Sequence, residues 1–243
     1  MQPSRTHAPG FFLGAQGGGA MRIGARALGS AVLAWACVLA GEPALAAEPG
    51  SGARDFNAEA PSEDARAVAR WVLDSHDNHG LPFAIVDKRQ ARLFVFAADG
   101  QIVGASAALL GQANGDDAVP GLGAREPAQI LPAERTTPAG RFASEPGRNL
   151  NGEAVVWFDY HAGLAIHRLR PGASRQRREQ GLASTLPADR RVSLGCIVVD
   201  ESFYDGVVRP LLGQSRGVVY VLPETRVVAE LFGAYRVSLQ RGD

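Results

Sequence analysis

The chain has 243 residues, of which 46% are hydrophobic, so it is long enough and apolar enough to bury the core of an ordinary single domain. Its 25 basic and 25 acidic residues cancel. This balance argues against a general binder of nucleic acid or of anionic membrane surfaces.

Residues 1–46 are predicted to be a leader that ends in a secretory signal peptide. Basic residues precede an apolar stretch over 27–41, and Ala44-Leu45-Ala46 supplies the small residues of a cleavage site. The apolar stretch is shorter than the roughly 20 residues that a membrane-spanning helix needs. We therefore expect cleavage after Ala46 and export, which in a Gram-negative cell means the periplasm.

The mature chain is predicted to begin with a linker and one helix. Residues 47–61 are rich in Gly, Ala, Glu and Pro and have no apolar period, which is typical of a linker. Over 62–80, apolar residues recur at helical spacing behind Ser62, a suitable N-cap, and Gly80 is expected to stop the helix. The His76-x-x-His79 pair is too small a ligand set for a closed metal site.

The main domain, 82–223, is predicted to be mostly β with a few short helices. Alternating or β-branched apolar runs predict strands over 83–87, 91–97, 102–109, 141–142, 154–158, 164–167 and 197–199. The glycine-containing loop 111–125 lacks the Lys and Ser/Thr of a phosphate loop, which excludes that mode of nucleotide binding. Residues 224–243 are predicted to close the fold as a short helix or strand.

Cys196 is the one cysteine that remains after loss of the leader, which contains Cys37. A lone thiol in an exported protein has no disulfide partner in its own chain. It is either a small buried hydrophobe or a nucleophile. Gly195 interrupts the strand pattern beside it and predicts a bend that would point Sγ outward and leave backbone N–H groups free for an oxyanion. The residues of that bend are Ser193, Leu194 and Gly195.

A cysteine nucleophile needs a base, and His167 is the best candidate because it ends the alternating run 164–167, where a strand would hold it rigidly. His161 lies in the turn before that run and is the next candidate; it is also a possible substrate-binding residue.

The segment 168–191 between base and nucleophile is rich in arginine. It contains seven arginines but only two acidic residues, Glu179 and Asp189. The segment is either a solvated surface loop or a basic lid for a substrate rich in carboxylates, which arginine binds in bidentate geometry. Arg190 and Arg191, next to the nucleophile segment, are the candidate substrate-binding members.

These residues together resemble the active-site signature of the L,D-transpeptidase catalytic domain, a family of cysteine enzymes of peptidoglycan, in its long-loop exported subset. The resemblance covers about 82–223. It rests on the pair Ile166-His167, the motif Ser193-x-Gly195-Cys196-Ile197, an opening hairpin over 84–96, a Thr-Pro segment over 135–142 and a closing strand over 217–223.

The resemblance implies a β-sandwich-like catalytic fold and a reaction. Cys196 would attack the carbonyl between meso-diaminopimelate and the terminal D-Ala of a tetrapeptide stem. His167 would accept the thiol proton, and the backbone carbonyl of Arg168 would orient the imidazole. An amine, typically another diaminopimelate side chain, would then take the acyl group, with no metal or organic cofactor.

The chain departs from the family pattern at two places: the segment between His167 and Cys196 is long, and Val198 stands where the family usually has Arg or Asn. Two alternatives therefore stay open. One is a peptidoglycan peptide hydrolase or carboxypeptidase with the same Cys–His pair. The other is a catalytically silent protein that binds wall peptides.

Overall fold

The computed structural model describes Phe56, residues 58–172 and residues 174–232. The predicted leader 1–46 with its cleavage site, most of the linker 47–61 and residues 233–243 of the closing segment lie outside the described residues. Among the helices that are described, none has the length and apolar character needed to cross a membrane.

Strands dominate the described residues, which confirms the prediction of a mostly β domain. They are β1 (Phe83–Asp87), β2 (Arg92–Phe96), β3 (Ile102–Ala107), β4 (Leu110–Gly111), β5 (Gly140–Arg148), β6 (Ala154–Asp159), β7 (Leu164–Arg168), β8 (Arg191–Ser193), β9 (Ile197–Val199) and β10 (Gly217–Val221).

Eight of these strands form one mixed sheet in the order β3-β2-β1-β10-β5-β6-β7-β9, while β4 and β8 pair separately. In the large sheet β1 is parallel to β10 and β7 is parallel to β9, and the other neighbours are antiparallel. The β7–β9 register aligns His167 with Val198. The strand that carries His167 therefore lies directly beside the segment that carries Cys196.

Both faces of the central strands are buried, which explains their nearly continuous apolar runs. Because side chains alternate along a strand, Phe83 and Ile85 face one core, which they share with α1 and α5. Ala84 and Val86 face a second core, which also contains Val156 of β6 and side chains of β7 and β9. Strands from both halves of the sheet order therefore pack against each other across this second core, as in a sandwich.

The two edges of the sheet meet at a single bridge. Leu109, two residues beyond β3, exchanges backbone hydrogen bonds of 2.7 and 2.9 Å with Val198 of β9. The sheet thus closes around the second core, and this closure fixes β9 on both of its sides.

The helices are short and lie outside the sheet. They are α1 (Glu63–Ser75), α2 (Arg175–Ala183), α3 (Glu201–Phe203), a π-helical turn (Tyr204–Val208), α4 (Arg209–Leu211) and α5 (Val228–Phe232). Ser62 caps α1, since its side chain accepts a hydrogen bond of 3.1 Å from the N–H of Ala65. The helix ends before Gly80 because His76 adopts a left-handed conformation at its C-cap.

A buried ion cluster ties the loop after β4 to the residues after β10. Lys88 is fully buried, and its ammonium donates to the Asp116 carboxylate at 2.8 Å and to the Thr137 carbonyl at 2.9 Å. Burial lowers the pKa of Lys88, while the neighbouring carboxylates act in the opposite direction. Glu224 pairs with Arg191 and also approaches Lys88. The cluster is relevant to the candidate site because Thr137 also contacts the segment that carries Cys196.

Candidate active site

The segment between β8 and β9 bends sharply at Gly195, as its sequence predicts. Gly195 has a φ of 129°, a conformation that L side chains rarely adopt. A Cβ atom at this position would lie 2.8 Å from the Thr136 carbonyl oxygen and 2.9 Å from Cδ2 of Leu164. Only glycine allows this close approach, and the bend brings Cys196 to the surface of the sheet as a half-buried residue.

Ser193 stabilises the bend through hydrogen bonds within the same segment. Its hydroxyl donates to the Cys196 carbonyl at 2.6 Å and accepts from the Gly195 N–H at 3.1 Å. The Gly195 N–H is thus occupied. The N–H groups of Leu194 and Cys196 meet no acceptor among the described residues, so these two could donate to an oxyanion.

Thr137, from a different part of the chain, also holds the bend in place. Its buried hydroxyl donates to the Gly195 carbonyl and accepts from the Gly111 N–H, both at 2.9 Å. This contact explains why a Thr-Pro segment nearly 60 residues upstream accompanies the cysteine motif.

His167 lies on the same side of the sheet as Cys196. Ile166 and Ile197 are paired neighbours that enter the second core, so the residues next to them in each strand point to the opposite face. The imidazole is 7% exposed, and its Nδ1 lies 2.8 Å from the Arg168 carbonyl. A carbonyl can only accept, so Nδ1 carries the proton and Nε2 is left as the basic nitrogen.

The electrostatics favour a neutral pair over an ion pair. Burial lowers the pKa of His167 to about 4, and the positive charge of Arg170 acts in the same direction. Burial raises the pKa of the Cys196 thiol. The Ala165 N–H and the charge of Arg170 act in the opposite direction and lower it, but burial has the larger effect. At neutral pH the site therefore holds a thiol and an unprotonated imidazole, the starting state for general-base activation of a nucleophile.

Both side chains open into one cleft of about 450 Å³. Its other lining residues are Gln112, Arg135, Arg170, Ser174, Arg177, Arg178, Val192, Ser193, Leu194 and Val198. No Asp or Glu is among them. A larger concavity of about 660 Å³ contains Tyr204 and Asp205 but neither Cys196 nor His167.

The remaining residues singled out from the sequence lie elsewhere. Arg190 donates to the carbonyls of Gln90, Ala91 and Ser184. Arg191 is held in the buried ion cluster. His161 is exposed in the β6–β7 turn, next to the ring of Tyr160. None of Arg190, Arg191 and His161 lines the cleft. The side chain of Arg168 pairs with Asp205 at 3.2 Å, so this residue reaches the site through its carbonyl.

The cleft residues that sequence reasoning did not single out come from three parts of the chain. Gln112 and Arg135 flank the loop after β4, while Arg170, Arg177 and Arg178 belong to the arginine-rich segment. The excess of arginine in that segment was the available signal, but it could not rank one arginine above another.

No protein-family model and no curated protein sequence matches the chain. Among solved structures, the chain is similar to the catalytic domain of an L,D-transpeptidase from E. faecium, with 17% identity, a TM-score of 0.31, and coverage of 58% of this chain and 95% of that one. It is also similar to the L,D-transpeptidase LdtMt1 in complex with imipenem, with 18% identity, a TM-score of 0.33 and coverage of 58% of each chain. Values this low leave the assignment of the site to its own geometry.

Proposed function

We propose that the protein is an L,D-transpeptidase, a cysteine acyltransferase that acts on peptidoglycan stem peptides. The observation that carries the proposal is that Cys196 and His167 line one cleft, with the imidazole Nδ1 held by the Arg168 carbonyl. The resemblance of the Ser193-to-Ile197 motif to that family supplies the reaction and the substrate class.

The first half of the proposed reaction forms a thioester. Nε2 of His167 accepts the thiol proton while Sγ of Cys196 attacks the carbonyl between diaminopimelate and the terminal D-Ala. The N–H groups of Leu194 and Cys196 donate to the oxyanion of the tetrahedral intermediate. When the intermediate collapses, the C–N bond breaks, the imidazolium returns its proton to the departing amine, and D-Ala leaves.

The second half transfers the acyl group. His167 accepts a proton from an incoming amine, such as another diaminopimelate side chain, as that amine attacks the thioester. The C–S bond then breaks, and the imidazolium returns its proton to the departing sulfur of Cys196, which restores the thiol. Transfer of the same acyl group to water would make the enzyme a carboxypeptidase or a cross-link hydrolase.

The nucleophile is tested with a carbapenem, whose β-lactam carbonyl acylates such cysteines. We expect one covalent adduct per chain by intact-protein mass spectrometry, located on Cys196 by peptide mapping, and none on Cys196→Ala. An unmodified wild type, or an adduct that persists in the variant, would contradict the proposal and favour a silent binding protein.

The reaction is tested with purified stem peptides and analysis of the products. Release of D-Ala together with a cross-linked dimer supports the transpeptidase. Release of D-Ala with a tripeptide and no dimer, at any concentration of acceptor, would instead identify the carboxypeptidase. We expect His167→Ala to abolish turnover while the far-ultraviolet circular dichroism stays that of the wild type.

The proposed place of action is the periplasm, on the basis of the signal-peptide pattern in 1–46. The mature protein recovered from a periplasmic fraction should begin at Ala47. Recovery of the uncleaved chain from the cytosol would contradict this localisation.

A further inference from the structure

The cleft around Cys196 is lined by four arginines and by no acidic side chain. The arginines are Arg135, Arg170, Arg177 and Arg178. Like charges gathered around one small concave site repel each other and raise the local concentration of anions. An uncompensated cluster of this kind therefore points to an anionic ligand.

Only one of the four arginines has a carboxylate partner among the described residues. Arg170 pairs with Glu153 at 2.9 Å. Arg135 donates to the neutral oxygens of Ile130 and Gln112. These contacts fix the guanidinium of Arg135 without neutralising it.

The two arginines of α2 that line the cleft are also uncompensated. Arg178 donates to the backbone carbonyls of Ser174 and Arg170. The side chain of Arg177 makes no ion pair or hydrogen bond within the described part of the chain, and the residue is exposed at the cleft. By contrast, Arg175 on the same helix pairs with Glu179 at 2.6 Å and does not line the cleft.

An apolar contact holds α2 in place. Leu182, near the end of the helix, packs against the buried cluster of Leu109, Leu169 and Val198. A Cβ atom on Gly181 would lie 2.9 Å from the Asp189 carbonyl oxygen, so the helix is also closely packed against the chain that follows it. The apolar side chain of Val198 is thus part of the surface against which α2 packs, and this packing positions the arginines of α2 beside Cys196.

We propose that Arg177 and Arg178 on one side of the cleft, with Arg135 as a third cation, bind carboxylates of the donor peptide that flank the scissile amide. This inference rests on the proposed function for the identity of the peptide. It adds the residues that select the peptide. Planar guanidinium groups suit this task because they can bind a carboxylate through two parallel hydrogen bonds.

The test compares two forms of the tetrapeptide stem: one with the diaminopimelate side-chain and D-Ala carboxylates free, the other with both amidated. Binding is measured by calorimetry on Cys196→Ala, so the result does not depend on turnover. We expect the free acid to bind about 10- to 100-fold more tightly than the amide, as charge-assisted hydrogen bonds would give. Adding Arg177→Gln and Arg178→Gln should remove most of that difference, whereas adding Arg175→Gln should preserve it.

Equal affinity for the two peptides would overturn the inference. So would an equal loss of affinity for both peptides in the double variant, or a loss in Arg175→Gln as large as that in the double variant. The failure of the proposed function has a different signature, namely a wild-type Cys196 that no carbapenem acylates. Circular dichroism of the arginine variants checks that α2 is still folded.

Discussion

Replacing Thr137 with valine removes one buried hydroxyl and keeps the side-chain shape. In the native protein that hydroxyl accepts from the Gly111 N–H and donates to the Gly195 carbonyl, both at 2.9 Å. Thr137 is 0% exposed, so water cannot replace either partner without a rearrangement. The substitution therefore leaves one donor and one acceptor unpaired in a buried site.

The expected loss of stability follows from these two groups. An unsatisfied buried polar group costs about 1–3 kcal/mol, and the extra methyl returns about 1 kcal/mol. Thr137→Val should therefore lower the free energy of unfolding by about 1–5 kcal/mol. Because the Gly195 carbonyl would lose its brace, the rate of Cys196 acylation should also fall by roughly tenfold or more, since small misplacements of reacting groups are costly.

Unfolding in urea, followed by tryptophan fluorescence, gives the stability, and the time course of adduct formation with a carbapenem gives the rate. Thr137→Ser keeps the hydroxyl and should recover most of the acylation rate. Thr136→Val is the matched control, because the Thr136 hydroxyl makes no hydrogen bond among the described residues. A Thr137→Val protein that is acylated at the wild-type rate would refute the role of Thr137 in positioning the bend.

Three further substitutions test neighbouring parts of the site. Gly195→Ala places a Cβ atom 2.8 Å from the Thr136 carbonyl oxygen at a φ of 129°, and should lower the free energy of unfolding by about 1–3 kcal/mol and slow acylation. His167→Gln should remove part of the pH dependence of the free energy of unfolding. The imidazole of residue 167 binds a proton near pH 6.5 in the unfolded chain but only near pH 4 in the folded protein. In urea titrations, the wild type should therefore lose about 3 kcal/mol more stability than the variant between pH 7 and pH 4. Lys88→Met removes the nearest cation of the buried Asp116 carboxylate, which then keeps only Arg226 at 3.8 Å, and should lower the urea midpoint by an amount equivalent to about 3–5 kcal/mol.

Local patterns in the sequence were sufficient to predict most strands of the large sheet and the bend, but not β4 or the full length of β5 (Gly140–Arg148). The runs predicted over 83–87 and 91–97 became β1 and β2 almost residue for residue, because a strand with both faces buried favours a continuous apolar run, here interrupted only at the strand ends by Asp87 and Arg92. The glycine before Cys196 marked a bend for an equally local reason, since no other residue fits its φ and its close contacts.

The identities of the cleft arginines could not be predicted, because they depend on contacts between distant residues. Arg190 and Arg191 adjoin the Cys196 segment in sequence, yet Arg191 is neutralised by Glu224, 33 residues away. Arg135 lies far from Cys196 in sequence but lines the same cleft. Sequence proximity to a nucleophile is a poor guide to which charges face it, since neighbouring side chains in a strand point to opposite sides.

One chain of contacts joins the buried ion cluster to the segment that carries Cys196. Lys88 donates to the Thr137 carbonyl, the Thr137 hydroxyl donates to the Gly195 carbonyl, and Gly195 precedes Cys196. Lys88 therefore holds the backbone of Thr137, and the side chain of Thr137 holds the bend at Gly195. If this coupling operates, Lys88→Met should slow Cys196 acylation even without denaturant, where the variant is fully folded. In a protein that already carries Thr137→Val, adding Lys88→Met should change the acylation rate very little. Independent effects of the two substitutions on the acylation rate would show instead that the ion cluster only stabilises the fold.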